Sequence, residues 1–342
     1  MTELLIAGGV SFLVALLTTP LLIHWLRAHG IGQQIREDGP DRHLTKAGTP
    51  TMGGIVIMAA AVVGYLAAHT LGTFTNRGLI GLGAIVGASL VGFADDWIKV
   101  TRQRSLGLNK RTKSAGQLVV AVGFAVLCVA NLHVDTHLSF TRYNSLGIQL
   151  GAVGWCIFAA LVIYGSTNAV NLTDGLDGLA AGSSAFTFVV FTVIGFTQFK
   201  HLYIYGNHAA LDEAILASAM IGACGGFLWW NAAPARIFMG DTGSLGIGAA
   251  IAVLALLENV DLLLPIAGGL FVIEALSVII QVASFRLAHR RVFRMAPIHH
   301  HFELLGWPET TVIVRFWILA GLFTALGLGV FYADFVARGA GG

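Results

Sequence analysis

The stretch "VNLTDGLDGLAAG" (Val170–Gly182) sets two aspartates, an asparagine and three glycines between the apolar runs 150–169 and 179–199. Each run matches the ~20 residues that cross the hydrocarbon core of a bilayer. The three segments together read as two membrane helices joined by a polar turn at the water boundary. Acids and a pliant backbone at that boundary point to a ligand pocket.

The same alternation continues outward along the chain. Ten runs are predicted to span: 3–25, 52–71, 79–97, 116–133, 150–169, 179–199, 214–231, 244–258, 262–285 and 312–333. Of the 342 residues, 56% are hydrophobic and 11% charged, against roughly 25% charged in soluble proteins. Mean hydropathy is +0.78. The predicted fold class is an all-α polytopic membrane protein with ten transmembrane helices, because backbone in lipid must satisfy its own hydrogen bonds. Residues 1–342 read as a single integral-membrane domain, with no repeat and no soluble domain. The first run lacks a basic start and a cleavage site, so it reads as a span rather than a leader. Cys128, Cys156 and Cys224 lie inside apolar runs without metal-ligand or disulfide spacing, and read as small core residues.

Lys and Arg divide the loops into two sets. The segments 26–51, 98–115, 170–178, 232–243 and 286–311 hold 15 of the 20. By the positive-inside rule these face the cytoplasm, and both termini are extracytoplasmic. The unusual polar clusters all fall on that side. A transporter would more readily place polar groups near the bilayer midplane, whereas an interfacial site suits an enzyme that joins a soluble substrate to a lipid.

In "FADDWIKV" (93–100), Asp95 and Asp96 are adjacent, and Lys99 lies four and three residues on, within helical reach of both. Paired carboxylates suit Mg²⁺, which takes oxygen ligands and shares them with substrate phosphates. They also suit a general base. In "NLTDGLDGLA", Asn171 or Thr173 is placed to cap the next helix, and Asp174 and Asp177 stand three apart with Gly175 and Gly178 beside them. In "RIFMGDTGSLGIG", Asp241 is either an N-cap or a metal ligand, and Phe238 either stacks on a base or packs at the interface. "PIHHHFE" supplies His299, His300 and His301, whose spacing is wrong for a zinc helix but suits phosphate contacts or proton relay. "KAGTPTMGG" offers Lys46, a mobile point charge for a diphosphate. The basic loop holding Lys110, Arg111 and Lys113 either sets topology or binds phosphate. Together the clusters suit Mg²⁺-assisted phosphoryl transfer.

The motifs "KAGTPTMGG", "FADDWIK", "NLTDGLDGLA", "NAAPARIFMGDTGS" and "PIHHHFE" occur in an order that resembles the polyprenyl-phosphate N-acetylhexosamine-1-phosphate transferases. The first and last resemble, more narrowly, the phospho-N-acetylmuramoyl-pentapeptide-transferase family. The resemblance covers essentially the whole chain and implies ten helices with the active site at the cytoplasmic face of a bacterial cell membrane. It implies transfer of phospho-MurNAc-pentapeptide from UDP-MurNAc-pentapeptide to undecaprenyl phosphate, giving lipid I and UMP, with Mg²⁺ as cofactor. Membrane lipid surrounds such an enzyme, a homodimer is left open, and nucleic acid has no part. Carried over, Asp95, Asp96, Asp241 and His299 to His301 are catalytic, and Asp241, Asp95 and Asp96 are the metal set. Lys46, Lys99, Lys113, Asn171, Asp174, Gly175, Leu176, Asp177, Asn231 and Phe238 are substrate-binding. The rivals are a sibling enzyme that takes UDP-N-acetylglucosamine, an ion-coupled transporter and a lipid-binding scaffold.

Overall fold

A computed structural model describes residues 1–32, 48–72, 74–102 and 107–339. Among them lie thirteen helices: α1 (Thr2–Ala28), α2 (Gly54–Ala68), α3 (Asn76–Thr101), α4 (Lys110–Asn131), α5 (Gly151–Thr173), α6 (Leu179–Lys200), α7 (Leu202–Tyr205), α8 (Ala210–Asn231), α9 (Gly240–Leu257), α10 (Leu264–Ala267), α11 (Gly269–Ala288), α12 (Ile298–Leu304) and α13 (Glu309–Gly339). Among the described residues the β pairing is one isolated bridge, His137 to Gln149.

Nine of these helices are long and apolar enough to cross a bilayer. The predicted second span is the exception. α2 has 15 residues, about 22 Å at 1.5 Å per residue, short of a ~30 Å core. Two further expectations are corrected. The eighth run begins at Gly240 rather than at 244, because the Asp96 carboxylate of α3 accepts from the first amides of that helix. The ninth run is broken at Gly268 into α10 and α11.

α9 forms the centre, packed against α2, α3, α5, α6 and α8. Its glycines and alanines let neighbouring backbones come close, the usual device where hydrocarbon surrounds the bundle. Of α9, 94% is buried, against 22% of an 18-residue stretch of α11. The outer helices carry bare aliphatics such as Val119 (72% exposed) and Val153 (75%), as surfaces in contact with lipid do.

Side-chain bonds fix the direction of the chain. Ser218 Oγ donates to the Leu4 carbonyl at 2.7 Å and Trp230 Nε1 to that of Leu16 at 2.9 Å. α1 therefore runs alongside α8 towards the end marked by Asn231. α13 begins at that end, where Glu309 Oε1 accepts from the Asp177 amide at 3.1 Å. It finishes at the other, where Thr141 Oγ1 donates to Asp334 at 2.8 Å. A second polar network closes that far end. Asp212 accepts from the Thr75 amide at 2.8 Å and its hydroxyl at 2.6 Å, and Arg77 donates to Asn207 at 3.0 Å.

Candidate active site

The C-terminal part of α3 and the first turn of α9 meet at the acids. Asp96 Oδ2 accepts from the Thr242 amide at 2.8 Å and its hydroxyl at 2.7 Å, and Oδ1 from the Asp241 amide at 3.1 Å. The N-cap of α9 is Met239, which offers no side-chain cap. Asp96 thus caps α9 from another helix, and Asp241 sits in the first turn instead of capping it as one expectation allowed. Gly240 makes the joint feasible. Its φ is +72°, and a Cβ there would stand 2.6 Å from Asp96 Oδ2, so both strain and space favour glycine.

Asp95 points to the other side. Its Oδ1 accepts from the Leu108 amide at 2.7 Å and its Oδ2 lies 2.6 Å from Lys99 Nζ. Lys99 reaches Asp96 Oδ1 at 3.4 Å, as the i, i+3 spacing predicted, and also Asp241 Oδ2 at 2.6 Å. Lys113 Nζ is 2.8 Å from the same oxygen. It is carried there by α4, whose first turn is capped by Asn109 accepting from the Thr112 amide at 2.8 Å. Oxygens of Asp95, Asp96 and Asp241 all fall within 4.8 Å of one another. This all-oxygen set fits a hard divalent cation. Asp95 and Asp241 suit it best, since Asp96 already serves the α9 amides. Two ammonium groups among three buried carboxylates limit their repulsion.

Asn171 donates to Asp241 Oδ1 at 2.6 Å and to Ser244 Oγ at 2.9 Å. It lies in the last turn of α5, as does Thr173, so neither caps the next helix; left-handed Gly178 takes that place. Asp174 ends α5. Burial pushes its carboxyl up to about 8, helped by the nearby charges of Asp241, Asp96 and Asp177 and opposed by Lys99. Asp177 is buried and accepts from the Ala235 amide at 2.9 Å, which ties this turn to the loop after α8. Asn231, also buried, donates to the Ile237 carbonyl at 2.8 Å and shapes the same loop. Phe238 is partly exposed. The backbone of Phe238 pairs with that of Pro50 and Gly53, at 2.8 Å each. Leu176 turns its side chain into an apolar cluster with Leu179, Leu270 and Phe316, so only its backbone faces the turn.

The histidines diverge. His299 is buried, with Nδ1 3.0 Å from Glu274 Oε1. Its Nε2 lies so close to Gly175 that a Cβ there would overlap it. His300 Nδ1 is 2.7 Å from Glu303 Oε2, and its Nε2 also faces Gly175. His301 points away: its Nδ1 accepts from the Arg294 amide at 3.1 Å, and its ring meets the edges of Phe293 and Phe302. Lys46 lies outside the described residues. Thr242, Ser244 and Glu274 join the site without having been singled out in the sequence. For Glu274 a signal existed, an acid within the apolar run 262–285.

The acids, lysines, asparagine and two histidines thus gather at one end of the bundle from α3, α4, α5, α9 and α12. Residues 78–259 match the family model described as glycosyl transferase family 4. Residues 46–58 match the phospho-N-acetylmuramoyl-pentapeptide-transferase signature 1. Proteins named phospho-N-acetylmuramoyl-pentapeptide-transferase align along nearly all of the chain. The one from Frankia alni is 53% identical over 100% of both chains. The one from Saccharopolyspora erythraea is 49% identical over 98% of each. The one from Corynebacterium kroppenstedtii is 48% identical over 98% of this chain and 99% of its own. Identity of this order over whole chains places the protein, within glycosyl transferase family 4, in the phospho-N-acetylmuramoyl-pentapeptide-transferase family.

Proposed function

We propose that the chain transfers phospho-MurNAc-pentapeptide from UDP-MurNAc-pentapeptide to undecaprenyl phosphate at the cytoplasmic face of a bacterial cell membrane, yielding lipid I and UMP. The observation that carries this reading is the convergence of Asp95, Asp96 and Asp241 within 4.8 Å in a chain of this family. The loop basicity supports the orientation, since 15 of the 20 Lys and Arg belong to the sequence segments assigned to the cytoplasmic set. On this reading α2 is the tenth span, shortened because much of its surface is buried among neighbours.

An oxygen of the lipid phosphate attacks the phosphorus that bears the sugar, and the bond to UMP breaks. The second pKa of such a phosphate lies near 6, so at pH 7 it is largely dianionic and needs little help from a base. Asp95 then serves to place the acceptor, and Lys99 and Lys113 to pair with diphosphate oxygens. Asp95 and Asp241 would hold Mg²⁺, which offsets the charge that develops on the leaving group. Asn171, Asp174, Gly175 and Asp177 line the donor's place, with Phe238 at its edge. A covalent route would require Asp241 to attack, but that carboxylate is held by Lys99, Lys113 and Asn171, so direct transfer is favoured.

The test is UMP release by purified protein given UDP-MurNAc-pentapeptide, undecaprenyl phosphate and Mg²⁺. Release that requires both the lipid and Mg²⁺, and falls at least ~10²-fold in Asp241→Asn, is the expected result. Release with UDP-N-acetylglucosamine alone would move the chain to the sibling activity. A phosphosugar adduct trapped without acceptor would overturn direct transfer.

A further inference from the structure

Glu274 sits in the body of α11, and its side chain is 0% exposed. An acid in the middle of an apolar helix is costly and needs a reason. Its partner is His299, also 0% exposed, with Nδ1 3.0 Å from Oε1. The other ends of both groups, Glu274 Oε2 and His299 Nε2, have no hydrogen-bond partner among the described residues. Such orphaned buried atoms cost desolvation that mere packing would avoid. His299 Nε2 is aimed at Gly175 in the turn between α5 and α6, and the His300 ring lies beside it, centroids 4.2 Å apart. A carboxylate on one imidazole nitrogen decides which nitrogen carries the hydrogen and which way the ring faces.

We propose that Glu274 is a positioning residue of the transfer reaction and acts through His299. Its carboxylate accepts the Nδ1 hydrogen and holds the ring edge-on to Gly175. Nε2 is thereby presented to a polar group of the nucleotide-sugar donor as it enters over the turn. Gly175 is part of the device, because any side chain there would displace the nitrogen. The inference rests on the reading of that turn as part of the donor site. It adds a residue that touches neither substrate nor the three aspartates.

The experiment is a double-mutant cycle on UMP release with both substrates and Mg²⁺, using Glu274→Leu, Glu274→Gln, His299→Ala and the pairs. Thermal melting of each variant in detergent checks folding. Residues that act as a unit are non-additive. His299→Ala and Glu274→Leu are each expected to lower kcat about 30-fold or more, and the pair to be no slower than His299→Ala alone within about twofold. Glu274→Gln keeps an acceptor oxygen and is expected to retain activity within about tenfold, a rescue that a packing role would not select. If Glu274→Leu does not fold, Glu274→Ala replaces it in the cycle, with the same non-additivity expected. Losses that multiply in the pair would overturn the proposal, as would a normal rate in Glu274→Leu. A normal rate and donor KM in His299→Ala would instead remove His299 from the donor site, a failure of the underlying reading that the cycle tells apart.

Discussion

Both carboxylate oxygens of Asp96 accept from the first turn of α9, whereas Asp95 faces Lys99 and the Leu108 amide. Two adjacent aspartates therefore differ in what their loss should do. Asp96→Ala removes a cap, which costs about 0.5–2 kcal/mol; the melting temperature in detergent should fall together with activity. Asp95→Ala should lower UMP release with a smaller change in melting. Asp174 gives a second prediction at this scale. Its folded-state pKa, pushed up to about 8, lies above the unfolded value, so between about pH 4 and 8 the native state binds more protons than the unfolded chain. Stability contributed by this carboxyl is present at the acid end of that window and lost as pH rises through it. Asp174→Asn should flatten the fall in melting temperature between pH 5 and 8, most clearly without added metal. A slope identical to that of the unaltered protein would exclude this carboxyl as its source. The sequence made these acids visible as a set but not their division of labour, since that depends on which oxygen meets which amide across 145 positions of chain.

At the scale of elements, the joint between α3 and α9 is the feature to test. Gly240→Ala places a Cβ against Asp96 in a left-handed residue, which costs about 1–2 kcal/mol before any clash. UMP release should collapse and melting fall, whereas Gly83→Ala on α3, which has open space around it, should leave both nearly unchanged. The long helices were legible, because apolar runs of membrane length have few alternatives, whereas short α7 and α12 fall in segments read as loops and carry no such signal. Helix ends were less so. α9 starts four residues earlier than its hydropathy suggested, because a carboxylate on α3 satisfies amides that a local reading leaves unpaired. The break at Gly268 was hidden by continuous apolarity. Glu274 was overlooked because a single acid barely disturbs the mean hydropathy of a run, though a buried acid there is the stronger signal.

For the molecule as a whole, the start of α1 and the last described turns of α13 lie at the end opposite the acids. On the proposed orientation, a cysteine at Arg142 should react with a membrane-impermeant maleimide in intact cells, and one at Lys110 only after permeabilisation. The reverse pattern would invert the topology. α9, sheathed by the helices around it, also has a consequence for the surroundings. Membranes differ in thickness, and helices that touch lipid answer by tilting. α9 scarcely touches lipid, so the depth of Asp241 is set by protein alone. Bilayers of shorter or longer acyl chains should lean α4, α11 and α13 while leaving the acids at the same height. The spacing of the acids within the bundle is insulated from the lipid mixture that a growing cell happens to make.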